Sequence, residues 1–108
     1  MSMKTASGAV LMTHEVGLHA RPSVKLTKLA KTFTSRVELA VAEAGPWIDA
    51  KSIVKVMATK AAKDTVLRFR AEGSDADLAV NALIALVEGD FEDPPAGGAG
   101  DLARAGAG

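Results

Sequence analysis

Two stretches of this chain alternate with a period of two, an apolar side chain recurring at every second position, and they commit it to a sheet. Over residues 36–42, Val37, Leu39 and Val41 fall on one side and Glu38, Ala40 and Ala42 on the other. Over residues 64–72, Leu67, Phe69 and Ala71 oppose Val66, Arg68 and Arg70. A period of two sends successive side chains to opposite faces, so each stretch predicts a strand with one buried face. A buried face needs a second layer against it.

The rest of the chain supplies that layer. Leu26, Leu29, Ala30 and Phe33 recur at steps of three and four, with Lys25, Thr27, Lys28, Lys31 and Thr32 between them, which predicts a helix with a basic outer side. A short helix over residues 52–60 carries Ile53, Val54, Val56 and Met57, with Ser52 as its N-cap. A third follows Gly73: Ser74 and Asp77 have the spacing of a capping box, and Ala79, Ala82, Leu83, Leu86 and Val87 form its apolar stripe up to Gly89. The apolar run at residues 9–12 predicts a first strand ending at Thr13 and His14. Ala44-Gly45-Pro46 predicts a turn into a strand over residues 47–50.

The order is therefore strand, helix, strand, strand, helix, strand, helix. It predicts an α+β fold, an open-faced two-layer sandwich with a four-stranded, mainly antiparallel sheet and three helices on one face. A length of 108 residues allows one core, and 48% apolar residues can fill it. Residues 1–88 are expected to form that domain. Residues 89–108, rich in glycine, alanine and proline, offer too little apolar surface to offset the entropy of ordering and are expected to be a disordered tail.

Charge and composition narrow the function. Thirteen basic and thirteen acidic side chains cancel, and only four aromatic residues are present, so a nucleic-acid partner is not expected. There is no cysteine, and two histidines make a poor metal cage, so no metal and no cofactor is expected. No stretch approaches the roughly 20 apolar residues of a membrane span and the first residues do not resemble an export signal, so the expectation is a cytoplasmic protein without membrane insertion.

Chemistry concentrates in Gly17-Leu18-His19-Ala20-Arg21-Pro22-Ser23, between the first strand and the first helix. Gly17 can take the positive φ of a sharp turn, which puts His19 at the helix N-terminus. There the first N–H groups lack intrahelical partners and the helix dipole favours an anion, so Gly17, Ala20 and Arg21 are candidate phosphate-binding residues. Neutral imidazole is a competent nucleophile, and a guanidinium suits phosphoryl oxygens through its planar fork of donors. Pro22 tolerates the first turn but disfavours helical geometry at Arg21, so a slightly irregular start is expected. His14 has no such context and is assigned no role.

This run, followed by the lysine-bearing helix and by Lys51-Ser52-Ile53, resembles HPr, the histidine-containing phosphocarrier of the phosphoenolpyruvate-dependent phosphotransferase system. The resemblance covers about Lys4 to Glu88. It implies that enzyme I, charged by phosphoenolpyruvate, phosphorylates Nδ1 of His19, that Arg21 contacts the phosphoryl group, and that an enzyme IIA-type acceptor receives it. The setting would be sugar transport or its regulatory, nitrogen-type branch. The chain would act stoichiometrically and would not turn over a small substrate.

The resemblance further implies that Ser52 is a regulatory site for a serine kinase/phosphorylase. Ile53, Val54 and Met57 would form an apolar docking patch, and Lys28 and Lys31 its basic rim. Read from the residues alone, Ser52 is equally a plain cap, and some of the apolar residues must be core, since Ile53 and Met57 share a face from which Val54 is offset. A rival function is a regulatory docking module controlled by Ser52 phosphorylation, although such a module could dispense with His19 and Arg21. The hairpin around Trp47 is longer than the family pattern, and Lys60-Ala61-Ala62-Lys63-Asp64 replaces a turn that often holds glycine.

Overall fold

The computed structural model of the protein describes residues 4–13 and 17–91. The expectations for His14 and for the tail from residue 92 onward lie outside them. The elements run β1 Thr5–Leu11, α1 Ala20–Lys31, β2 Arg36–Ala40, β3 Ile48–Asp49, α2 Ile53–Ala58, β4 Val66–Glu72 and α3 Ala76–Glu88. This is the expected order.

The strands form one sheet in the order β1-β4-β2-β3, with every neighbouring pair antiparallel. β4 thus slots between β1 and β2, and the sheet is incomplete until the last strand is in place. Its register sets Gly8 opposite Phe69 and Leu39 on the other side of the same residue. Because side chains alternate, Val10, Val37, Leu39, Leu67, Phe69 and Ala71 share the helix-covered face and are buried. Leu26 and Ala30 of α1, Val56 of α2, and Ala79, Val80, Leu83 and Val87 of α3 meet them in one cluster. Phe69, Leu67 and Leu39 are each wholly buried, a contribution of about 1.5–3 kcal/mol per side chain.

The other face is open. On it Arg70 Nε donates to Glu38 Oε1 at 2.7 Å, and the Arg70 guanidinium carbon sits 4.2 Å from the centre of the Trp47 ring. The lengthened hairpin and its tryptophan therefore serve the open face of the sheet.

Several boundaries differ from those the sequence suggested. β1 starts at Thr5, four residues earlier, because small residues and not large apolar ones face inward there: a Cβ on Gly8 would lie 2.7 Å from Ile84 Cδ1 of α3. β2 ends at Ala40, and β3 shrinks to two residues. α2 stops at Ala58 with Thr59 as C-cap, because Lys60 turns left-handed at φ 52°. α1 starts regularly at Ala20 despite Pro22, and it ends before Phe33. Thr27 is buried within α1, its hydroxyl satisfied by donating to Ser23 O at 2.9 Å.

The capping box expected for α3 is absent. Asp75, and not Ser74, is the N-cap, and its side chain makes no capping bond. Its carboxylate instead accepts from Thr34 N and Ser35 N, both at 2.9 Å, and from Ser35 Oγ, joining the start of α3 to the turn before β2. These bonds, led by the Ser35 hydroxyl and then the Thr34 N–H, lower the Asp75 pKa from 3.8 to about 2. The buried stripe of α3 is correspondingly rotated to include Ala76 and Val80, leaving Ala82 and Leu86 only half-buried.

Phe91, placed in the tail by composition, is 3% exposed and belongs to the core cluster. Its N–H donates to Leu86 O at 2.8 Å. A lone aromatic among acidic residues carries no periodic signal, yet it buries enough surface to hold the chain past Glu88.

Candidate functional site

The turn between β1 and α1 is built around a glycine that nothing else can replace. Gly17 has φ 76°, and a Cβ there would lie 2.4 Å from the carbonyl oxygen of Ala61. The same carbonyl accepts from Leu18 N at 2.8 Å, and the Leu18 side chain is buried. The loop after α2 therefore clamps the residues just before His19. No feature of Lys60-Ala61-Ala62-Lys63 signals that role in the sequence, because the contact is made by main chain.

His19 is the N-cap of α1, with φ −87° and ψ −168°. Its N–H donates to Gly17 O at 3.0 Å, and its carbonyl accepts the first helical bond from Ser23 N at 3.0 Å. The imidazole makes no capping bond and is exposed. Both main-chain groups are thus fixed while the ring remains available. This is unusual for a capping position, where the side chain normally satisfies a free N–H.

Those N–H groups remain pointed at the helix mouth. In the first turn Ala20 and Arg21 have N–H groups without an intrahelical acceptor, and Pro22 has none to offer. No acidic residue occupies this turn, and Ala20 and Arg21 are both exposed. Among the described residues, the Arg21 side chain has no hydrogen-bond or ion-pair partner. Pro22 and Ser23 are buried, so the turn is rooted on one side and open on the other. The arrangement can seat a small dianion between two main-chain donors, a helix dipole and a free guanidinium, next to a nucleophilic ring.

Ser52 caps α2, its Oγ accepting from Lys55 N at 3.4 Å. The structure departs from the expectation that part of the apolar stripe is core. Ile53, Val54 and Met57 are 37%, 75% and 39% exposed, and Val56 is the one buried residue of the helix. In this short helix Val56 alone is turned fully into the core.

Lys28 and Lys31 are exposed in the last turn of α1. Lys51 Nζ donates to Phe33 O at 2.8 Å, so α2 starts beside the C-terminal end of α1. The chain after α2 reaches Gly17 at the other end, about 18 Å away along a helix of twelve residues. The exposed apolar residues of α2 therefore lie along α1, between its two lysines and His19. Gly17, His19, Ala20 and Arg21 form one compact group, and Ser52 stands apart from it. Among the described residues no cluster of potential metal ligands occurs, and no helix is long and apolar enough to cross a membrane.

The family model described as "PTS HPr component phosphorylation site" matches residues 6–89. The phosphocarrier protein HPr of Cupriavidus necator is 40% identical over 78 residues, covering 72% of this chain and 85% of that protein. The phosphocarrier protein HPr of Xylella fastidiosa is 37% identical over 84 residues, covering 78% and 92%. Among solved structures, an HPr from Thermoanaerobacter tengcongensis superposes with a TM-score of 0.74 at 28% identity, covering 83% of this chain and 99% of that one.

Proposed function

This chain belongs to the HPr family of phosphocarriers of the phosphotransferase system, and from that premise we propose that it receives a phosphoryl group from enzyme I on Nδ1 of His19 and passes it to an enzyme IIA-type acceptor. The observation that carries the reading is the N-cap histidine whose ring caps nothing, beside an Arg21 without a polar partner among the described residues.

In the forward step the Nδ1 lone pair of His19 attacks the phosphorus of phosphorylated enzyme I. The new N–P bond forms as the bond to the donor breaks, and the donor keeps the electron pair. The N–H groups of Ala20 and Arg21 and the Arg21 guanidinium take the phosphoryl oxygens. Phosphoryl transfer needs in-line positioning and charge stabilisation more than covalent machinery, and a preformed seat provides both. The second step repeats the first with the acceptor's nucleophile attacking. Each chain carries one group per cycle, so the protein is a stoichiometric carrier.

The exposed Ile53, Val54 and Met57, with Lys28 and Lys31 beside them, are the docking surface in this reading, which asks for an apolar partner groove with an acidic rim. Ser52 lies within that surface. A phosphate there is compatible with the helix mouth it caps, and its charge opposes an acidic partner, so modification by a serine kinase would weaken docking. In this reading the protein works in the cytoplasm, and its acceptors belong to sugar transport or the nitrogen-type branch.

The test is incubation with enzyme I and labelled phosphoenolpyruvate. Label is expected on the wild type and not on His19→Ala, and it should be released by acid. Acid-stable label, or label that survives the substitution, contradicts the proposal.

A further inference from the structure

The second helix raises a physical problem. It has six residues, of which only Val56 is buried, yet it carries three exposed apolar side chains in a defined place. An isolated helix of this length is not stable in water, and one inward side chain gives little resistance to rolling or fraying. The Ala61 carbonyl ties the chain after it to Leu18, so the rest of its orientation must be fixed where it starts.

Four hydrogen bonds meet at that point. Ala50, wholly buried, donates from its N–H to Val37 O at 3.0 Å, tying the turn to the sheet. Asp49 closes the turn: its Oδ1 accepts from Lys51 N at 2.9 Å, and its carbonyl accepts from Ser52 N at 3.1 Å. The fourth is the half-buried Lys51 side chain, whose ammonium donates to Phe33 O at 2.8 Å. The first three join α2 to the sheet edge, whereas only the fourth joins its start to α1. Phe33 O follows the C-terminal end of α1, where carbonyls lack intrahelical partners and the dipole favours a cation.

We infer that Lys51 is a positioning residue for phosphoryl transfer, holding the docking patch of α2 in register with α1, and hence with His19, through its bond to the Phe33 carbonyl. The inference rests on the docking reading above. It assigns Lys51 a role directed inward, distinct from that of Lys28 and Lys31, whose charges face outward. A partner that must reach Ile53, Val54, Met57 and His19 together depends on the spacing between two helices, and Lys51 is the side chain that sets it at the start of α2.

Enzyme I-dependent phosphorylation of the full chain, with carrier concentration varied, tests this in the wild type, Lys51→Met and Lys51→Arg. A half-buried hydrogen bond from a charged donor corresponds to a KM for Lys51→Met about three- to tenfold higher, with kcat within about twofold. The salt dependence of KM should be unchanged, amide exchange over residues 54–58 should be faster, and Lys51→Arg should restore the wild-type KM.

An unchanged KM would overturn the inference. So would a raised KM accompanied by a shallower salt dependence and unaltered amide exchange, since that pattern marks a direct charge contact with the partner. If even the wild type takes no label, the phosphocarrier reading fails, while amide exchange still reports separately on whether Lys51 holds α2.

Discussion

Replacing Gly17 with alanine should unfold the phosphoryl seat at a cost that can be worked out from two contacts. The residue sits at φ 76°, where an L side chain costs about 1–2 kcal/mol. The added methyl would meet Ala61 O at 2.4 Å, and that oxygen is main chain, so relief requires moving the carbonyl. The same carbonyl holds Leu18 N at 2.8 Å, and losing that buried bond costs about 1–3 kcal/mol. Together these give about 2–5 kcal/mol, or a fall in Tm of about 8–40 °C for a domain this small.

Urea and thermal unfolding of Gly17→Ala measure it. Gly89→Ala serves as the control, because Gly89 has φ −88° and the new Cβ would meet Ala85 O at 3.4 Å, an ordinary contact distance. That variant should stay within about 0.5 kcal/mol of the wild type. A Gly17→Ala protein equally close to the wild type would refute the clamp between Gly17, Leu18 and Ala61.

Arg21→Ala should slow transfer about ten- to a hundredfold with unfolding unchanged, since the side chain is exposed and has no hydrogen-bond or ion-pair partner among the described residues; loss of folding with normal transfer per folded molecule would refute its role. Asp75 has its pKa lowered to about 2, so its bonds to Thr34 and Ser35 stabilise the fold above about pH 4 and the contribution is lost as pH falls toward 2. The stability gap between wild type and Asp75→Asn in urea titrations should therefore be widest near pH 5 and close by pH 2, and a gap independent of pH would contradict this. Ser52→Ala should cost about 0.5–1 kcal/mol through loss of the cap, while Ser52→Asp keeps an acceptor at the cap and should raise the KM for enzyme I; equal KM values in the two variants would remove Ser52 from the docking surface.

Much of the fold was legible because its signals are periodic. β4 reads directly as alternation, and burial follows that alternation through Leu67, Phe69 and Ala71. What escaped was non-periodic or long-range. Thr5, Ala6, Ser7 and Gly8 give no apolar run, although they pair with β4, because α3 comes too close to leave room for larger inward residues. Asp75 follows Ser74, the expected cap, yet its carboxylate is used forty residues away in sequence, which local spacing cannot reveal. Phe91 had no partner pattern at all.

The site divides the same way. Gly17, His19 and Arg21 are contiguous, so the turn and helix start that bring them together could be read from one short run. The carbonyl of Ala61 and the reach of Lys51 to Phe33 could not, because a main-chain acceptor has no residue signature. The apolar residues of α2 were ambiguous for a different reason: a six-residue helix is too short for periodicity to separate an inward face from an outward one.

The central claim is that one ring, on His19, carries the group between proteins. Its most direct test is mass spectrometric mapping of the chain after phosphorylation by enzyme I, followed by addition of an enzyme IIA acceptor. One phosphoryl group per chain is expected, on the peptide containing His19, lost from it as the acceptor gains it. A phosphoryl group on another residue, or one on His19 that no acceptor removes, would contradict it.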